Sequence, residues 1–117
     1  MNPEPLVTFH NLEPTEELKA RVREKAERLR TYCDRIAGCR VAVELANRRH
    51  KHGNPYRVRI NVAVPGDEIV VDHEDAGPTA EAGLAAALHG AFDAARRRLE
   101  DYTRRRRHDV KRHETPA

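Results

Sequence analysis

Apolar residues along this chain follow two periodicities in turn. Val7 and Phe9 alternate with polar neighbours and predict a short first strand. Thr15 then stands at a helix N-cap position, with Glu16 and Glu17 in the first turn, where the helix dipole favours acids. Leu18, Val22, Ala26, Leu29, Cys33 and Ile36 follow at intervals of three and four, one face of a helix that Gly38 is expected to close. Period two returns with Val41, Val43 and Leu45, and after a loop over 47–55 it runs cleanly through Tyr56, Val58, Ile60, Val62 and Val64. Pro65-Gly66-Asp67 marks a tight turn, and Ile69 and Val71 carry another strand from Glu68 to about Glu74. Gly77-Pro78-Thr79 breaks the chain and recaps it. From about Ala80 a long helix is expected to bury Leu84, Leu88, Ala91, Phe92, Ala95, Leu99 and Tyr102.

The order is therefore β-α-β-β-β-α. Its opening β-α-β unit predicts a right-handed crossover and a parallel pair, and the two hairpins that follow make the rest antiparallel. Each helix has a single apolar stripe, so both are expected on one face of the sheet. The fold class is α+β, a two-layer sandwich with a four-stranded mixed sheet and two helices packed on one face. A length of 117 residues allows one domain, and no repeat is visible. Leu, Ile, Val and Phe number 23, a lean core, yet the formal net charge of +3 is too small to keep the chain disordered. No apolar run approaches the ~18 residues of a membrane span, and MNPEPLVTF lacks the basic-then-apolar shape of a secretory signal. The chain contains no Ser, which removes every serine-nucleophile mechanism.

Charge changes the picture more than composition does. Residues 1–18 carry four acids and no base, 19–59 carry 13 bases against four acids, 67–93 carry seven acids and no base, and 94–117 carry nine bases against four acids. Such blocks predict a positive side and a negative side, and a positive side on a small domain points to a phosphate backbone as partner. At about 100° per residue, Arg21, Lys25, Arg28, Tyr32 and Arg35 fall on one flank of the first helix. Lys19, Arg23 and Arg30 take the other flank, and Glu27 and Asp34 lie between. Glu17–Arg21 and Glu24–Arg28 have i,i+4 spacing, but Lys25, Tyr32 and Arg35 have no acid four residues earlier. A merely solvated face would interleave its charges throughout. The run Arg104, Arg105, Arg106 and Arg107 follows the last core position of the second helix and points in all directions, which suits an irregular polyanion. Arg48, Arg49 and Lys51, with His50 and His52, add a basic loop.

Other chemistry is thin. Cys33 and Cys39 match no common redox or zinc spacing and read as core thiols of a reducing compartment. His50 and His52 are too few and too surrounded by cations for a metal site. Asp72, Glu74 and Asp75 cluster around His73, but alternation puts Asp72 and Glu74 on the solvent side, with no partner for general acid–base work. No Gly-rich phosphate loop is present, and Gly83 and Gly90 read as merely thinning the second helix. No enzyme, metal, cofactor or small-molecule substrate is expected.

With the element order and basic helices in place, a family resemblance emerges. NLEPTEELKARVREKAERLRTYCDRI (11–36) resembles the opening of the ribosome hibernation proteins, the group of hibernation promoting factor and ribosome-associated inhibitor A. An N-x-E-x-T start and a K-x-x-K/R-L-x-x-Y/F-x-D-R-I helix appear as Asn11, Glu13 and Thr15, then Lys25, Arg28, Leu29, Tyr32, Asp34, Arg35 and Ile36. HGAFDAARRRLEDYTRRRRHDVKRHE (89–114) is similar to the second helix of a subgroup often followed by a cold-shock domain. The resemblance implies a cytoplasmic protein, monomeric when free, that binds rRNA of the small ribosomal subunit in the channel used by mRNA and tRNA. Occupancy would stop translation under starvation. Lys25, Arg28 and Arg35 coincide with matched basic positions, and Arg97 matches another. Departures are Glu100-Asp101-Tyr102 where relatives alternate Lys and His, the small-residue stretch AEAGLAAAL (80–88), and a longer basic loop between the second and third strands. Residues 1–103 are expected to form the single ribosome-binding domain and 104–117 a basic helix end and tail, a short form without dimerisation or cold-shock domain. The residues leave two alternatives open: a general double-stranded-RNA binder, and a protein-interaction regulator, as the family's older label of transcription-factor modulators implies.

Overall fold

The computed structural model describes residues 4–46 and 55–114, with side chains through Arg107. Its elements are β1 (Leu6–His10), α1 (Glu16–Arg28), β2 (Gly38–Leu45), β3 (Tyr56–Val64), β4 (Asp67–Asp75) and α2 (Ala80–Glu114). The strands lie in the order β1-β2-β3-β4, with β1 parallel to β2 and the other pairs antiparallel. The α+β architecture read from periodicity is the one observed. Both caps form as expected: Thr15 Oγ1 accepts from the Leu18 amide, and Thr79 Oγ1 from the Ala82 amide, each at 3.0 Å. Between β3 and β4, Pro65 precedes Gly66 at φ 78°, the residue pattern of a type II turn.

The core lies between one sheet face and the helices. From β3, Val58, Ile60 and Val62 are wholly buried, and they meet Val41 and Val43 of β2, Val22 and Ala26 of α1, and Leu88, Ala91, Ala95 and Leu99 of α2. Opposite side chains cover the other sheet face with charge. There Arg57 grips Asp72 through two hydrogen bonds of 2.7 and 2.5 Å, and Asn61 donates to Glu68 at 3.1 Å. The hydrogen bonds from Arg57 hold the Asp72 carboxyl below the usual carboxylate range. Arg98 donates to the Val70 carbonyl, so the free edge of β4 is partly covered.

One boundary differs from the sequence reading. The expected first helix runs to Ile36 and closes on Gly38, whereas α1 ends at Arg28 and tightens into a 3-10 turn over Leu29–Thr31. Thr31 Oγ1 donates to the Arg28 carbonyl at 2.7 Å, the local side-chain bond with which Thr competes against helix continuation. Cys33 and Ile36 remain buried, which explains why their spacing imitated a helix, and Gly38 opens β2 instead. Cys39 is partly buried and burial pushes its thiol up to about 11, so at neutral pH it is protonated and a poor nucleophile.

Gly90 does more than thin α2. His73, on the inward side of β4, brings its ring against α2 at this position, and a Cβ there would stand 2.2 Å from His73 Nε2. That nitrogen makes no hydrogen bond, and Asp75 Oδ2 lies 3.5 Å away. An ordinary Gly→Ala change inside a helix gains about 1 kcal/mol. Gly90→Ala is expected instead to cost about 1–3 kcal/mol through overpacking. In urea denaturation the double change Gly90→Ala/His73→Ala should be less destabilised than the sum of its singles; additive losses would show that the two residues do not press on each other.

Candidate nucleic-acid interface

Residues on facing sides of α1 and α2 line a trough along the seam between the helices. Near the helix N-termini it begins as a broad hollow of about 670 Å³ that includes Leu12, Glu13, Glu17, Leu84 and Arg21. Next comes a narrower stretch between Arg21, Glu24, Lys25 and Arg28 on α1 and Ala85 and Leu88 on α2. It continues past Lys25, Arg28 and Tyr32 on one wall and His89, Phe92, Asp93 and Arg96 on the other. The small residues that open α2 keep the facing wall low. Arg21 and Arg28 are therefore exposed and Lys25 is only partly covered.

Ion pairing divides the cations into two populations. On the far flank of α1, Lys19 holds Glu16 at 3.2 Å and Arg30 holds Glu27 at 2.8 Å, while Arg23 is exposed and has no acidic partner among the described residues. On the trough flank, Arg21, Lys25 and Arg28 have no acidic partner among the described residues; the spacings Glu17–Arg21 and Glu24–Arg28 are not used. Along α2 the chain's own acids intervene. Arg96 reaches Asp93 and Glu100, each at 2.9 Å, with its guanidinium 6.0 Å from the Tyr32 ring. Arg97 holds Asp93 at 3.1 Å, and Arg104 and Arg105 share Asp101. Hydrogen bonding from Arg96, then the charges of Arg97 and Arg96, keep Asp93 below its ordinary range; Arg105 does the same for Asp101.

At the far end a strut crosses from α2 to the β3–β4 turn. The Tyr102 hydroxyl donates to the Pro65 carbonyl at 2.6 Å, and Arg106 donates to the same oxygen at 3.4 Å while lying 5.9 Å from the Tyr102 ring. Thr103 Oγ1 donates to the Tyr32 carbonyl at 3.1 Å, joining α2 to the turn after α1. Arg35 therefore sits beside Arg106 and Arg107 rather than in line with Lys25 and Arg28, because the helix has ended before it.

A sequence model of the sigma 54 modulation protein / S30EA ribosomal protein family matches residues 6–107. The chain belongs to this family. Among solved structures it is similar to the N-terminal domain of Thermus thermophilus Protein Y, at 28% identity and a TM-score of 0.66, covering 87% of this chain and 99% of that one. It also shares the fold of a ribosomal subunit interface protein from Coxiella burnetii, at 16% identity and a TM-score of 0.64, covering 85% and 96%. No curated protein matches the chain closely enough to count as a relative. In this member of the S30EA family, no helix among the described residues is long and apolar enough to cross a membrane.

The sequence-predicted residues thus separate. Arg21, Lys25 and Arg28 meet in the trough; Arg35, Arg106 and Arg107 meet at its far end; Arg97, Arg104 and Arg105 are exposed but paired with acids of their own helix. Arg48, Arg49 and Lys51 lie outside the described residues. His89 and Arg96 were missed as wall residues. Their spacing with Phe92 on α2 was the available signal, since 89, 92 and 96 share a helix face.

The pairing has a pH sign. Asp93 and Asp101 are ionised at neutral pH in both folded and unfolded chains, so their contribution is present above about 4 and is lost as pH falls through the lowered folded values. Near neutrality only mutation releases the arginines. Asp93→Asn is expected to elute from immobilised heparin at higher salt than the natural chain; unchanged elution would mean that Asp93 does not restrain Arg96 and Arg97.

Proposed function

We propose that this S30EA-family chain is a non-enzymatic translation inhibitor that lays the trough between its helices on small-subunit rRNA, in the channel used by mRNA and tRNA, and blocks translation under stress. The observation that carries this reading is the row Arg21, Lys25 and Arg28, which has no acidic partner among the described residues and lines an open trough, while Lys19 and Arg30 on the opposite flank are internally paired. A cation already neutralised by its own chain adds little on meeting a phosphate. An unpaired one releases condensed counterions from the RNA. Membership in a family of ribosome-associated proteins supports the choice of rRNA over other polyanions.

The face is tested by combining Arg21→Glu, Lys25→Glu and Arg28→Glu. All three side chains lie outside the core, so thermal unfolding should change little, while co-sedimentation with small subunits should be lost. Pelleting at the natural level would reject the assigned face. Affinity for small subunits should also fall at least about tenfold between 50 and 200 mM salt. A flat titration would remove phosphate contacts from the account, and equal affinity for a plain RNA duplex would recast the chain as a general double-stranded-RNA binder.

A further inference from the structure

Where the turn after α1 meets α2, a hollow of about 330 Å³ is lined by Arg35, Arg106 and Arg107, with Tyr102 and Thr103 at its walls. One carboxylate, Asp34, lines it too. Arg106 is held by a carbonyl oxygen and an aromatic ring, neither of which carries charge, so its own charge is not cancelled. Arg35 and Arg107 have no acidic partner among the described residues. Arg106 commits its guanidinium to the Pro65 carbonyl of the β3–β4 turn, so Arg35 and Arg107 are the free cations of the hollow, set against the one carboxylate of Asp34. The walls are fixed beforehand: Thr103 bonds to the Tyr32 carbonyl at 3.1 Å and Tyr102 to the Pro65 carbonyl at 2.6 Å. These bonds fix the walls of the hollow, so a ligand has only the exposed side chains of Arg35 and Arg107 to order.

A phosphodiester within an RNA strand carries one negative charge. A phosphate monoester carries about −1.5 to −2 and offers three acceptor oxygens. Arginine forks recognise such a group through paired hydrogen bonds. Charge and concavity together favour the monoester, and the volume falls at the small end of ligand pockets. We propose that this hollow binds a phosphate monoester, carried by the 5′ end of an RNA or by a free mononucleotide. The inference deepens the RNA-binding reading at one end of the same surface, and its test needs no ribosome.

A short single-stranded RNA bearing either a 5′ phosphate or a 5′ hydroxyl is titrated against the full chain by fluorescence anisotropy, with a 3′ label and constant ionic strength. The phosphorylated strand is expected to bind about tenfold more tightly, the worth of a charge-assisted pair. Arg35→Ala/Arg107→Ala should erase that ratio, while Lys25→Glu should weaken both strands and keep it. Adenosine 5′-monophosphate is then added as competitor, beside adenosine. Displacement by the nucleotide alone assigns the site to mononucleotides; a retained preference without displacement assigns it to RNA ends. Equal affinity of the two strands for the natural chain, or a ratio lost equally in Lys25→Glu, overturns the proposal. Either result leaves small-subunit pelleting untouched, so failure here is distinct from failure of the translation-inhibitor reading.

Discussion

Four strands about 4.8 Å apart make a sheet less than 20 Å wide, and two helices about 10 Å across fill one face of it side by side. That packing constraint governs the molecule. Val58, Ile60 and Val62 of β3 share one buried cluster with residues of both helices, and two cylinders laid together on one face leave a seam. α1 supplies Val22 and Ala26 to the core, the 3-10 turn after it adds Leu29, and α2 supplies Leu88, Ala91, Ala95 and Leu99. What the seam presents is then decided by the residues just outside those stripes. On α1 they are Arg21, Lys25 and Arg28; on α2 they are Ala85, His89 and Arg96.

Availability of charge, more than its amount, distinguishes the two sides. The uncovered sheet face carries Arg57 and Arg59, but Asp72 hydrogen-bonds the first and stands 3.7 Å from the second. The helical face carries cations of both kinds, and among those with no acidic partner in the described residues Arg21, Lys25 and Arg28 line the seam while Arg23 stands on the far flank. Exposed pairs of this type contribute little to stability, so their main consequence is for the field that the protein offers a partner. Asp93 and Asp101 thus act as internal competitors for the arginines of α2. This tempers the second basic block of the sequence without abolishing it, since Arg107 has no acidic partner among the described residues.

α2 joins two tasks in one helix. The part up to Leu99, which is wholly buried, closes the core, and its continuation to Glu114 carries the arginine run past the last apolar anchor. Tyr102 marks the change: it packs against the core, bonds the Pro65 carbonyl and supports Arg106. Gly90 and His73 show the same economy earlier in the helix, where a missing side chain admits a ring from β4.

By itself the sequence determined the element order, the apolar faces, both helix caps and the cationic flank of α1, because these depend on neighbours three or four residues away. It also marked β3 as the cleanest strand, since no other segment alternates so long without a break. It misjudged the end of the first helix, where a local Thr31 bond to Arg28 competes with an apolar spacing that continued regardless. Only the tertiary structure decided which cations remain available, because Asp93 and Asp101 could have turned toward solvent. It alone placed Arg35 with Arg106 and Arg107, residues some 70 apart in sequence, since that meeting depends on where α1 stops and how far α2 extends beyond the sheet.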